Sequence, residues 1–144
     1  MVVESLDDLH RIALTVWDLA GSESQHCQRA VAWVIVNRIG REGGGRTVAD
    51  ICDSVRREAE PKGEKAAKGG ADMAAFLAME ERVAAVLTRQ TKDPTEGARH
   101  LHRHDASPAW SRTIEPSALI GAYFFYPGEN SGGERTRCSK IFEN

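Results

Sequence analysis

The sequence predicts an α+β domain that is mainly helical, with a short β hairpin or extended element near the C-terminus. Apolar residues recur at helical spacing over the first two thirds of the chain, and helix start signals precede them. After Asp93 the pattern changes to short runs with β-branched and aromatic residues. The 144 residues, 41% hydrophobic and 28% charged, have the balance of a globular domain with one core.

The first helix begins at a capping pattern and ends at a glycine. Ser5 is followed three residues later by Asp8, the spacing of a capping box, and apolar residues then recur up to Gly21. This pattern predicts a helix of about four turns with one buried face.

The second helix is apolar nearly all round over residues 30–36, which is typical of a helix in the middle of a core. Ser22 or Ser24 supplies its start signal. We expect Asn37, Arg38 and the glycine cluster that follows them to end this helix in a flexible loop.

Two more helices are expected before the change of pattern at Asp93. Thr47 and Asp50 form another capping box, and a periodic run of good helix formers begins at Met73. Between these helices, residues 58–70 are rich in Lys, Glu and Gly and predict a solvated loop.

Two segments after the last helix, residues 98–104 and 119–126, are expected to be extended, with a short helix as the alternative for the second. His100, His102 and His104 alternate, so a strand would place their three imidazoles on one face. Such an array could hold zinc or copper. A structural or substrate-contacting role is the more common one for histidines, and we expect neither a metal nor a cofactor.

Charge and composition exclude several classes of partner. A formal net charge of −2 and a pI near 6.2 argue against nucleic-acid binding, which needs clustered excess Lys and Arg. The longest apolar stretch is far shorter than the roughly 20 residues of a membrane span. The acidic N-terminus shows no signal-peptide pattern, so either the chain is not exported by that route or its signal was removed.

Three cysteines, Cys27, Cys52 and Cys138, show no C-x-x-C spacing and predict neither a disulfide scaffold nor a zinc site. Cys27 and Cys52 fall within helical patterns and are expected to be small core residues. The tail, residues 127–144, is rich in Gly, Ser and charge and is expected to pack loosely.

Residues 16–39 and 93–126 together resemble the SleB-type cell-wall hydrolases. The most specific parts are the Ala-Val-Ala-x-Val-Ile-x-Asn-Arg stretch and the later Asp-Pro-Thr-Glu-Gly-Ala stretch. The resemblance implies a compact lysozyme-like domain over residues 1–126. It also implies that peptidoglycan glycan strands are the partner and that their cleavage is of the lytic transglycosylase or muramidase type. In that chemistry, one carboxylic acid protonates the leaving glycosidic oxygen.

The chain departs from this family at the end of the first helix. Members usually read Tyr-Gly-Glu-Ala-Arg-Gly-Glu where this chain reads Trp-Asp-Leu-Ala-Gly-Ser-Glu, so Leu19 occupies the position of the first, catalytic Glu, and Glu23 keeps the second. Either Glu23 or Asp18 has taken over the acid role, or Leu19 is itself an altered residue. Alternatively the site is inactive, and the domain is a glycan-binding or structural module of a phage-like particle or envelope assembly.

The resemblance also suggests substrate-binding residues. His102 is the candidate hydrogen-bond donor, with His100 and Asn37 in the same blocks, and Trp110 could stack on a sugar ring or lie wedged under a loop. Catalysis would require an acidic side chain at the end of the first helix to face a groove floored by residues 30–38. A chain with this activity would act at the cell wall or in the periplasm.

Overall fold

The computed structural model describes residues 5–42, 46–60 and 65–128. Within these ranges, four α-helices are followed by a small antiparallel sheet, so the predicted mainly helical α+β class is confirmed. The helices are α1 (Leu6–Ala20), α2 (Gln25–Glu42), α3 (Val48–Ala59) and α4 (Met73–Leu87). The strands are β1 (His100–Arg103), β2 (Ala118–Ile120) and β3 (Tyr123–Tyr126), and a short 3-10 helix, Ala109–Thr113, lies between β1 and β2.

Side-chain caps fix the starts of the helices. The Ser5 side chain accepts from the Asp8 amide at 3.0 Å, and Ser24 Oγ accepts from the Cys27 amide at 3.1 Å, so Ser24 rather than Ser22 caps α2. Both bonds of the capping box at the start of α3 are present. These caps are local in sequence, which is why the pattern predicted them.

Helix α2 packs against α1, α3 and α4, and its residues 30–36 are all buried, as predicted. Its expected end was wrong, because the helix continues through Asn37 and Arg38 to Glu42. The Arg38 side chain is buried and donates to the Arg99 carbonyl and to Ser54, at 2.7 and 2.9 Å. These distant partners keep Arg38 inside the helix. The glycine cluster lies outside the described residues.

The expected solvated loop at residues 58–70 was wrong at its start, whereas residues 65–70 lie outside any helix or strand and are mostly exposed, as expected. Glu58 belongs to α3 and forms an ion pair with Arg38. Glu60 and Ala67 are buried. The charged side chain of Glu58 therefore forms an ion pair with a residue that is distant in the sequence, and is not simply hydrated.

The sheet has strand order β1-β3-β2 and is antiparallel throughout. The predicted single segment 119–126 forms two strands, because Gly121 adopts a φ of 57° and reverses the chain between them. Tyr123 and Phe125 lie on the face toward the helical core and are fully buried. His102 and Phe124, which are paired in the register, lie on the other face.

Cys27 and Cys52 are fully buried, as expected. Cys138 and nearly all of the predicted tail lie outside the described residues. Among the described residues, no helix has the length and apolar character needed to cross a bilayer.

Candidate active site

Glu23 lies on the short turn that joins α1 to α2, and backbone hydrogen bonds shape this turn. Its amide donates to the Ala20 carbonyl at 3.0 Å, and the neighbouring Ser22 amide donates to the Ala67 carbonyl at 2.9 Å. The turn is thus held both to the end of α1 and to the segment before α4. These bonds give Glu23 a fixed backbone position.

A buried glutamine completes the anchoring of this turn. Gln28 Nε2 donates to the carbonyls of Ala20 and Glu23, at 3.2 and 3.4 Å, and Arg82 of α4 donates to Gln28 Oε1 at 2.9 Å. Sequence reasoning missed Gln28. The available signal was an amide side chain two residues before the apolar run that begins at Ala30, where a polar group needs partners.

The Glu23 carboxylate is half-buried and faces the turn between β2 and β3. A Cβ placed on Gly121 would stand 2.5 Å from Glu23 Oε1 and 2.8 Å from Cys27 Sγ, so the carboxylate and the thiol lie against the same glycine. In the part of the chain that the structure describes, no Lys, Arg or His forms an ion pair with Glu23.

Cys27, which lies against the same glycine as Glu23, and Tyr123, which contacts the end of α1, are both buried. Burial, and then the nearby charge of Glu23, raise the pKa of Cys27 to about 12, so this thiol stays protonated at neutral pH. Burial, and then the charge of Glu60, raise the pKa of Tyr123. The Tyr123 hydroxyl donates to the Leu19 carbonyl at 2.5 Å, which ties β3 to the end of α1.

Asp18 lies in a different environment from Glu23. Its side chain is 16% exposed and pairs with Arg56 of α3 at 3.4 Å and with Lys65 and Lys68 at 3.7 and 3.8 Å. Asp18 is therefore not a solvated helix residue. Its oxygens are occupied by three cationic side chains that hold α1 to α3 and to the following segment.

Leu19 is buried in the helical core with 1% of its surface exposed. The side chain at this position therefore contributes to packing. Helix residues 30–36 and Arg38 are also buried, so Asn37 is the one partly exposed residue of the 30–38 stretch that was expected to floor a groove.

His100 and His102 share one face of β1, as expected, and both contact Trp110 of the 3-10 helix. The centroid of the Trp110 ring lies 5.7 Å from that of His100 and 5.6 Å from that of His102. His100 Nδ1 lies 2.9 Å from Glu58 and 3.2 Å from Arg38. Arg38 and Glu58 therefore anchor this ring between α2, α3 and β1.

His102 is 3% exposed, and both of its ring nitrogens have protein partners. Nε2 lies 2.7 Å from the Tyr126 hydroxyl and Nδ1 lies 2.7 Å from the Arg103 carbonyl. His104 follows β1 and is exposed. Among the described residues, no group of three His, Cys, Asp or Glu could hold a metal ion.

Trp110 is half-buried, and its ring meets that of Tyr126 edge to face at 5.1 Å. A cavity of about 300 Å³ opens beside this cluster on the outer face of the sheet. Another, of about 240 Å³, lies between α1 and α4 around Phe76. Glu23 lines neither cavity, and His102 is on the face of the sheet opposite to Tyr123.

Asn37 lies far from Glu23 because a helix rises about 1.5 Å per residue, which puts Asn37 roughly 18 Å from the start of α2. Its Nδ2 donates to Asp93 at 2.9 Å and to the Ala98 carbonyl at 3.0 Å. Asp93 also accepts from Thr95 and from the Gly97 amide. The two motifs that carry the resemblance thus bind each other.

Comparisons with known proteins show the family and the fold of this chain. The family model described as Cell Wall Hydrolase matches residues 22–126. The catalytic domain of the SleB protein of Bacillus cereus is similar, with a TM-score of 0.61 and 25% identity over 86% of this chain and 92% of that one.

A second similar structure is the catalytic domain of the germination-specific lytic transglycosylase SleB of Bacillus anthracis, with a TM-score of 0.59 and 25% identity over 85% of this chain and 96% of that one. No curated protein sequence matches significantly. Because the family model covers most of the chain, this protein belongs to the cell wall hydrolase family and has a SleB-type catalytic-domain fold.

Proposed function

We propose that this protein cleaves the glycan strand of bacterial peptidoglycan and that Glu23 is its general acid. Membership of the cell wall hydrolase family and the likeness to SleB catalytic domains support peptidoglycan as the substrate. The observation that carries the assignment to Glu23 is its half-buried carboxylate, which no cation neutralises among the described residues and which stands on an anchored turn opposite Gly121.

The chemistry requires one well-placed carboxyl group. Protonated Glu23 would donate its proton to the leaving glycosidic oxygen, and the resulting carboxylate would take a proton back from a hydroxyl of the same sugar, as in lytic transglycosylation. If water attacks instead, the same carboxylate activates that water, and the products are those of a muramidase. A fixed position matters because proton transfer needs hydrogen-bond distance to the reacting oxygen.

Asp18 is the weaker candidate for the acid. Its oxygens face Arg56, Lys65 and Lys68, so they are not presented to a substrate. We propose that Asp18 instead holds the segment before α4 against α1, and so shapes one side of the turn that carries Glu23.

The other candidate residues have supporting roles in this proposal. Trp110, half-buried on the outer face of the sheet, would offer an aromatic surface to a more distant part of the glycan strand. His100 and His102 hold Trp110 by ring contacts, and Asn37 holds the loop at Asp93. In this proposal, His100, His102 and Asn37 do not touch the bond that is cleaved.

A second function, that of an inactive glycan-binding or structural module, is favoured by one observation. Leu19, at the position where the resemblance implies the catalytic Glu, is buried in the core and has no proton to give. In that case the chain would bind peptidoglycan without cutting it.

Clearing of a purified peptidoglycan suspension separates the two functions. We expect Glu23→Gln to lower the rate by about 10²-fold or more, because general acid catalysis contributes that much. Asp18→Asn should keep most of the activity. Glu81→Gln is the matched control, since Glu81 is exposed on α4.

Leu19→Glu and Leu19→Gln complete the set, and both are checked for folding by circular dichroism because they bury a polar group. Activity that is absent from the natural chain and appears only in Leu19→Glu would establish the inactive module. Full activity in Glu23→Gln would overturn the assignment of the acid.

A further inference from the structure

Two residues that carry no charge at neutral pH lie directly against the carboxylate of Glu23. Gly121 comes from the turn between β2 and β3, and Cys27 comes from the first turn of α2. Glu23 Oε1 and Cys27 Sγ both lie within 3 Å of the point where a Cβ of Gly121 would stand, at 2.5 and 2.8 Å. The carboxylate therefore occupies the space that a side chain at position 121 would fill.

The backbone at this point reinforces the arrangement. Gly121 has a φ of 57°, in the left-handed region, so the turn brings its main chain close to α2 without strain. Cys27 Sγ lies 3.7 Å from the Ile120 carbonyl oxygen, which joins the helix to the same turn. The carboxylate thus lies between one helix and one hairpin turn.

We propose that Gly121 and Cys27 are positioning residues that fix the carboxylate of Glu23 for proton transfer. Gly121 acts by leaving room for the carboxylate against the hairpin turn. Cys27 acts by packing a compact side chain beside it. This inference rests on the proposed function of Glu23.

The protonation state of Cys27 suits this role. Its pKa is raised to about 12 by burial and by the charge of Glu23, so the thiol adds no second negative charge beside the carboxylate. A fully buried, protonated thiol is also a poor nucleophile, and Cys27 is therefore a packing group rather than a reactive one.

The chain provides a matched control for each residue. Gly97 also has a positive φ, 83°, but a Cβ there would meet no atom within 4 Å, so Gly97→Ala carries the backbone strain alone. Cys52 is likewise fully buried with a raised pKa caused by burial, but it lies in α3 away from Glu23. In each pair, the control variant measures the effect of lost stability alone. Any further loss of rate in the other variant then reports displacement of the Glu23 carboxylate.

The test compares Gly121→Ala with Gly97→Ala, and Cys27→Ala with Cys52→Ala, in peptidoglycan clearing at increasing substrate concentration. We expect the maximal rate to fall on the order of ten- to a hundred-fold in Gly121→Ala, and less in Cys27→Ala, because small misplacement of a catalytic group is costly. The half-saturating concentration should stay unchanged. Cys27→Ser, which keeps a side chain of similar size, should recover most of the rate.

Equal maximal rates within each pair would overturn the inference while leaving Glu23 as the acid. A readout that needs no activity is the carbon-13 chemical shift of the Glu23 side-chain carboxyl. It should change in Gly121→Ala and Cys27→Ala and stay constant in both controls. If the chain proves inactive, a change in this signal still supports the positioning of Glu23, and an unchanged signal contradicts it.

Discussion

At the scale of single residues, the environment of each carboxylate sets its role. Asp18 and Glu23 are only five positions apart, yet one is surrounded by three cationic side chains and the other by none among the described residues. The sequence favoured Glu23, which keeps a Glu position of the family, and left Asp18 as the alternative. The difference comes from Arg56, Lys65, Lys68 and Gly121, which are distant in the chain, so no local pattern could have revealed it.

The hydrogen bond from Tyr123 to Leu19 is the main polar link between the sheet and the end of α1. Tyr123→Phe removes the hydroxyl donor, so the buried carbonyl oxygen of Leu19 loses this hydrogen bond. We expect the free energy of unfolding to fall by about 1–3 kcal/mol. Urea denaturation monitored by circular dichroism measures this, and a midpoint equal to that of the natural chain would show that the bond contributes nothing.

At the scale of elements, the loop that begins at Asp93 depends on one carboxylate. Asp93 accepts from Asn37, from the amide and hydroxyl of Thr95, and from the Gly97 amide, at 2.6 to 2.9 Å. Asp93→Ala should lower the free energy of unfolding by about 2–4 kcal/mol, since hydrogen bonds to a charged group are strong.

The control for this variant is Asp105→Ala, which removes an exposed ion pair with Arg103. Its cost should stay below about 1 kcal/mol in the same denaturation experiment. Equal losses in the two variants would contradict the structural role of the Asp-Pro-Thr motif.

The capping box of α3 predicts a pH dependence of stability. Hydrogen bonds from the amide and then the side chain of Thr47 lower the pKa of Asp50 from its ordinary value of 3.8. A lowered pKa means that the stabilisation is present above the unfolded-state value and is lost as the pH falls through the folded-state value.

Asp50→Ala should therefore be less stable than the natural chain at pH 7, and the difference should narrow below about pH 4. Thermal unfolding over a series of pH values measures it. A difference that is constant from neutral to acid pH would be inconsistent with the charged cap.

Elements that depend on local chemistry were predicted well from the sequence. The caps at Ser5 and Thr47 and the buried run in α2 were confirmed, because they need only neighbours in the chain. The end of α2 and residues 58–60 were predicted wrongly, since Arg38 and Glu58 find partners far along the sequence. The division of residues 119–126 into two strands depends on the positive φ of Gly121. The aromatic residues that follow this glycine favoured one continuous strand in the prediction.

At the scale of the whole molecule, the helical part and the sheet meet at the candidate acid. Glu23 and Cys27 come from the α1–α2 region and Gly121 from the hairpin about a hundred positions later, so their contact exists only in the folded chain. The family motifs were enough to predict the family. They did not identify the catalytic residue, because this chain has Leu19 where a Glu is expected.

The most direct test of glycan cleavage by Glu23 is mass spectrometry of the soluble fragments released from purified peptidoglycan. The natural chain should release fragments that end in an anhydro sugar if it is a lytic transglycosylase, or in a free reducing sugar if water attacks. Glu23→Gln, shown to be folded, should release neither. Fragments released equally by the natural chain and by Glu23→Gln, or by neither of them, would contradict the proposed function.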